Sequence, residues 1–216
     1  MAGTIAKFRQ EGKKVVIMHL TEAELSSNGT VENRQLEAKN ACEVLGLPDP
    51  IQFQFPDRKL LEHREEAIDA IVQVIRKLRP KIVFAPNHQD RHPDHGHCGE
   101  LTKEAFFSAG IKKYLSHDEN EAFLPQALYF FQINGIVTPD FLIDISTTID
   151  LKYQALACFE SQFSSKEAQV KTPLNSGYIE KLKARDLLLG GEAGVTYAEG
   201  FLSERPILIH DLLGDE

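Results

Sequence analysis

Residues 81–86 read KIVFAP, apolar at all but the first position and held between Pro80 and a polar stretch. A strand of that kind lacks the inside–outside alternation of a half-solvated sheet. It belongs in an α/β interior, covered on both faces. Residues 14–20 (KVVIMHL) read the same way. Between them, residues 65–79 place Ile68, Ile71, Val72, Ile75 and Leu78 at helical spacing, and Pro80 ends the helix. Further helices are expected over 34–45, with Gly46 as a left-handed stop, and over about 97–108, 149–161 and 178–189. Strands are expected over 51–55, 127–131, 141–145 and 207–210. Strands alternating with helices give one α/β domain over 1–216, Rossmann-like, with a mostly parallel sheet flanked by helices.

Composition narrows the function. The formal net charge is -8, with Lys and Arg scattered among acids. No basic face is present to attract nucleic acid or anionic lipid. Cys42, Cys98 and Cys158 form no CxxC pair, which fits a reducing compartment. No apolar run approaches the roughly 18 residues of a membrane span, and the first ten residues hold no signal-peptide core. The expectation is a cytoplasmic protein with no membrane and no nucleic-acid partner.

The chain opens inside an amphipathic helix, Ala2–Gln10, with Ile5 and Phe8 apolar. It has no capping residue and no strand before it. A helix leading into a buried parallel strand normally follows another strand, to complete a right-handed crossover. Two readings stay open: a domain that starts with a helix, or a missing first strand.

Four of the eight histidines, His88, His92, His95 and His97, follow directly on the strand 81–86, together with Asp90, Arg91 and Asp94. Ligand sites in open α/β sheets form at the carboxyl ends of strands, so chemistry is expected here. Zinc takes neutral imidazole and carboxylate ligands, and catalytic sites keep one position for water. His92 and His95 are three apart with Pro93 between them. That turn can send both rings to one side or split their tasks. Asp94 is placed to hydrogen-bond a ring nitrogen and fix a tautomer. The loop supplies one or two ligands, and no HExxH exists to complete a site.

The sequence DRHPDH after KIVFAP resembles the LmbE-like (PIG-L) family of zinc-dependent de-N-acetylases. The resemblance runs along the chain through Gly3-Thr4-Ile5-Ala6-Lys7, Leu20-Thr21-Glu22, Gly29-Thr30, Arg34, Pro56-Asp57-Arg58, Glu160-Ser161-Gln162-Phe163 and Tyr197-Ala198-Glu199-Gly200-Phe201. It is strongest to the bacillithiol-biosynthesis deacetylases. It implies removal of acetate from N-acetylglucosaminyl malate or from N-acetylglucosamine-type sugars, with Zn2+ as cofactor and a homo-oligomeric enzyme. It implies His95 as a zinc ligand, His92 as the oxyanion and proton-handling residue, Asp94 as the acid that orients His92, and Tyr197 as a residue reaching the amide. Arg34, Arg91, Asp57 and Arg58 match sugar-side positions. From the residues alone, Asp57 and Arg58 also suit a simple turn, Arg34 a surface ion pair with Glu32 or Glu37, and Tyr197 a mobile loop between Gly194 and Gly200.

One departure stands out. Family members carry an HPDD-like motif before the helix that begins here at Gly3, and it supplies two zinc ligands and the general base. No HxDD occurs in this sequence. The expectations that follow are an N-terminally truncated domain, an incomplete zinc site and, as the alternative function, a catalytically inactive product or pseudoenzyme of the same fold.

Overall fold

A computed structural model describes residues 1–164 and 170–209. The elements are α1 (Ala2–Gln10), β1 (Met18–His19), α2 (Val31–Val44), β2 (Ile51–Gln52), α3 (Arg64–Leu78), β3 (Ile82–Pro86), α4 (Pro93–Ala109), β4 (Ala127–Phe131), β5 (Phe141–Asp144), α5 (Ile149–Ala157), α6 (Glu160–Phe163), α7 (Tyr178–Glu192) and β6 (Ala198–Leu202). The α/β class is as expected. β1 and β2 pair in parallel, and a four-stranded sheet runs β3-β4-β6-β5. β3 and β4 are parallel, while β6 runs antiparallel to both of its neighbours.

Local signals explain most of these elements. Thr30 caps α2 by accepting from Asn33 N at 3.2 Å, so the helix starts three residues before Arg34. Gly46, at φ +65°, ends it as expected. In α3, Ile68, Ile71, Val72 and Ile75 are buried against α4, whereas Leu78 is 42% exposed. Arg79 stops α3 in the left-handed conformation, before Pro80.

The two apolar runs differ from expectation. Only Met18–His19 of the first forms a ladder, and Val16 is exposed. In β3 only Ala85 is buried, and Ile82 is 40% exposed. Each strand pairs along one edge among the described residues, which leaves the other edge and part of the side chains uncovered. The helix expected over 149–161 breaks at Cys158 and Phe159 into α5 and α6. Residues 207–209 form no strand, and His210 lies outside the described residues. No described helix is long and apolar enough to cross a membrane.

The helix without a local cap finds one in space. Glu199 of β6 accepts from Gly3 N at 3.3 Å and Thr4 N at 2.8 Å. A carboxylate there satisfies orphan N–H groups and faces the positive end of the helix dipole. Lys152 completes a buried ion cluster, 2.7 Å from Glu199 and 2.6 Å from Asp186. Burial alone would raise the Glu199 carboxyl. The Met1 ammonium and Lys152 together outweigh it and hold the group far below the carboxylate range.

Candidate active site

β3 and β4 end side by side, at Pro86 and Phe131. The segments that follow are knitted together. Asn87 N donates to Phe131 O at 2.9 Å, and Asn87 Nδ2 to Gln132 Oε1 at 2.9 Å. Asn134 then donates twice to Asp90, from its backbone to Oδ2 at 2.9 Å and from Nδ2 to Oδ1 at 2.8 Å. Asp90 Oδ1 also accepts from His92 N at 2.9 Å and lies 3.1 Å from His95 Nδ1.

The histidine segment is more helical than its spacing suggests. α4 begins at Pro93, so His92 is its N-cap and His95 lies in its first turn. Pro at the first helical position and an acid in the first turn are ordinary helix starts. Two glycines let this turn approach the end of β3. A Cβ on Gly96 would lie 2.7 Å from His88 O, and one on Gly99 2.3 Å from Pro86 O. The His92 and His95 rings stack with centroids 4.7 Å apart at 28°. His92 is exposed, while His95 is half-buried behind it.

Burial pushes the His95 imidazole below its ordinary range, with Asp90 partly restoring it, so the ring is neutral near pH 7. For Asp90, burial pushes up, but the hydrogen bonds from His92 and Asn134 together bring the carboxyl below its ordinary value. A neutral imidazole backed by an ionised carboxylate is suited to accept a proton or bind a metal through its other nitrogen.

Asp94 corrects an expectation. It does not orient His92. Its Oδ2 accepts from Arg58 N at 2.9 Å, and its buried Oδ1 has no hydrogen-bond partner among the described residues. The nearest ring nitrogen is His97 Nδ1, 3.9 Å away. Residues two apart at a helix start point to different faces, and Asp94 reaches the turn 56–58 instead. Arg58 adopts φ 67° in that turn and contributes its backbone to Asp94, with its side chain exposed. Asp57 Oδ2 accepts from Leu25 N at 3.0 Å, tying down the chain after β1.

Arg34 is held 2.8 Å from Glu37 and lies over the Phe159 ring at 5.2 Å. Glu37 also accepts from Ser161 N and Oγ, at 2.7 and 2.8 Å. Phe163 of the same short helix stacks on Tyr178, whose hydroxyl donates to Ile133 O at 3.0 Å. These contacts make a continuous rim from Arg34 round to the Asn134–Asp90–His95 group. Arg91 is exposed on that rim. Tyr197 is not on a free loop. It leads into the central strand β6, its N donating to Ser146 Oγ at 3.1 Å and its carbonyl accepting from Ile145 N at 3.0 Å. No described contact joins Tyr197 to His92 or His95.

The sequence marks Asp90 only as a member of the histidine-rich loop, with no assigned task, and does not mark Gln132 and Asn134 at all. Their one signal is topological: the residues after two adjacent parallel strands must lie together. Among the described residues no group of three or more His, Cys, Asp or Glu is arranged to hold a metal ion. The described part of the cleft offers one well-oriented imidazole and does not by itself assemble a zinc site.

The family described as PIG-L, GlcNAc-PI de-N-acetylase, matches residues 1–106. The chain is 30% identical to a protein of Thermococcus kodakarensis named diacetylchitobiose deacetylase, over 97% of this chain and 79% of that one. It is 25% identical to a Bacillus anthracis protein named probable N-acetyl-alpha-D-glucosaminyl L-malate deacetylase 2, over 85% of this chain and 84% of that one. Among solved structures, a conserved protein of Thermus thermophilus superposes with a TM-score of 0.85 at 36% identity, covering 96% of this chain and 89% of that one.

Proposed function

This chain belongs to the PIG-L family of de-N-acetylases, and on that footing we propose that it hydrolyses the N-acetyl amide of a glucosamine-containing small molecule. The observation that carries the reading is the stacked His92–His95 pair at the carboxyl end of β3, with the Asp90 carboxylate behind His95. The leading substrate class is a short N-acetylglucosamine oligosaccharide. The second is N-acetylglucosaminyl malate. Each carries the same acetamide and differs only in the attached group.

In the proposed reaction water adds to the acetamide carbonyl, the C–N bond breaks, and acetate and a protonated amine leave. His92, exposed at the positive end of α4, donates a hydrogen bond to the developing oxyanion. His95, held by Asp90, presents its second nitrogen to the cleft. Arg34 and Arg91 are assigned to the sugar side, and Tyr197, just before β6, to the same rim. The family's dependence on zinc is assigned to His95 as the one ligand drawn from the described residues. No step is routed through the ion, because the described residues do not complete its site.

The test is acetate release from diacetylchitobiose and from N-acetylglucosaminyl malate, with zinc supplied and the free amine measured in parallel. Equal yields of acetate and amine from either substrate support the reading. Folded protein that releases neither supports an inactive member of the fold.

A further inference from the structure

Arg34 is not offered to the cleft as a free cation. We propose that Glu37 is a specificity-determining positioning residue: by holding and neutralising Arg34, it makes the sugar side of the cleft favour an uncharged N-acetylglucosamine unit over an attached group that carries carboxylates. The inference rests on the reading of Arg34 as a sugar-side residue, and binding tests it without any turnover.

Glu37 follows Arg34 by three residues in α2, so the two side chains meet on one face of the helix. Arg34 Nη1 donates to Glu37 Oε2 at 2.8 Å, and the two side chains are only 19% and 11% exposed. Salt and water screen a partly buried pair less than one on the surface. The carboxylate is itself held in place. Its Oε1 accepts from Ser161 N, and its Oε2 accepts from Ser161 Oγ as well as from Arg34. The Phe159 ring lies against the guanidinium from the same side. Arg34 is thus fixed between a buried acid and an aromatic face.

A ligand carboxylate needs a free fork. A guanidinium grips one through two parallel hydrogen bonds, side-on from Nε and Nη2 or end-on from Nη1 and Nη2. Arg34 Nε is buried, which closes the side-on edge. The end-on edge includes Nη1, so a second carboxylate there would lie beside Glu37 Oε2 and be repelled by it. The rest of the rim supplies no excess of positive charge. Arg91 is exposed and screened by water, and the buried Asp90 opposes it in sign. A sugar hydroxyl meets no such penalty, because it accepts a single hydrogen bond and brings no charge. Malate brings two carboxylates, both ionised near pH 7.

The readout is the ratio of two affinities, measured by calorimetry on the full chain with diacetylchitobiose and with N-acetylglucosaminyl malate. The native chain is expected to favour the neutral sugar. Glu37→Gln keeps an acceptor for Arg34 or Ser161 and removes the charge. It is expected to move the ratio toward the malate conjugate by about tenfold, with a smaller shift in about 0.5 M salt. A purely structural role would weaken both ligands alike and leave the ratio where it was. Should Glu37→Gln fail to fold, Arg34→Gln leaves Glu37 without its counter-charge and is expected to move the ratio the other way, further toward the neutral sugar. A native preference for the malate conjugate would overturn the proposal, as would an unaltered ratio in a folded variant or a native chain that binds neither compound. Preferential binding of the neutral sugar with no acetate released contradicts the deacetylase reading and leaves this one standing.

Discussion

Asp94 Oδ2 accepts the backbone N–H of Arg58 at 2.9 Å, and the ring of His92 is not among its partners. The carboxylate thus joins the turn after β2 to the first turn of α4. Asp94→Ala leaves that N–H without its acceptor, at a cost of about 1–3 kcal/mol. Because the residue acts on the scaffold, its effect on stability should be additive with that of His92→Ala. Urea unfolding of the two single variants and the double variant checks this. A coupling energy well above about 0.5 kcal/mol would restore the direct pairing.

The glycines of α4 and α7 make opposite predictions. A methyl group on Gly99 meets Pro86 O at 2.3 Å, a backbone atom that cannot swing aside. Gly99→Ala should push α4 off the end of β3 and destabilise by about 1–3 kcal/mol or more. Gly191 lies in α7 with nothing within 4 Å of an added Cβ. Gly191→Ala should stabilise by about 0.5–1 kcal/mol, from helix propensity and reduced freedom of the unfolded chain. Thermal melts of both variants test the pair, which should shift in opposite directions.

Stability should fall on the acid side of neutrality. Burial lowers the His19 imidazole below its ordinary 6.5; Gln52 opposes this and Arg34 adds to it. Burial does the same to His95. Just below pH 6.5 the unfolded chain takes up protons at these rings that the folded chain refuses. Stability is therefore full above about 6.5 and declines as pH drops toward the folded values. A second decline follows below about 4, where Asp118 and Asp144, both held below the ordinary carboxylate value of 3.8, begin to be protonated. The backbone and side-chain donors of Asn120 and Ser146, respectively, hold those two low. Urea midpoints between pH 8 and pH 4 should show the loss. A midpoint that rises as pH falls from 6.5 would contradict these assignments.

Cys98 should be chemically quiet. Burial pushes its thiol up to about 11, against a smaller pull from Thr102. At about pH 8 only a trace of thiolate is present. In the native chain, alkylation by iodoacetamide should therefore be slow at Cys98 and become fast only in denaturant. Rapid native labelling at Cys98, read by peptide mass, would show that α4 is open.

How far the sequence discloses this molecule depends on how local each signal is. α3 is legible because its buried face repeats every three to four residues, and Ala127–Phe131 forms β4 at the expected residues. The start of α4 was expected at about residue 97, because the histidines suggested a loop, although Pro93 and Asp94 are themselves helix-start residues. β6 is the larger departure. Tyr197 reads as a mobile loop between Gly194 and Gly200, yet the residues after it, Ala198–Leu202, form an inner strand of the sheet. Gly200 is needed there because a Cβ would lie 2.9 Å from the Pro139 ring. Its partners, Phe130 and Phe141, are some 60 to 70 positions away, beyond any local pattern. In the site, the three-residue spacing of His92 and His95 does bring their rings together. The Asp90–Asn134 pair spans 44 positions and depends on which strands are neighbours, which spacing does not carry.

The central claim is that the paired rings of His92 and His95 support hydrolysis of an N-acetyl amide. The most direct measurement is acetate release from diacetylchitobiose by the native chain and by His92→Ala, with zinc supplied and circular dichroism confirming that both are folded. The account predicts stoichiometric acetate and amine from the native chain, and a rate about 10²–10⁴-fold lower from His92→Ala. Acetate release that is undiminished in the folded His92→Ala variant would contradict it.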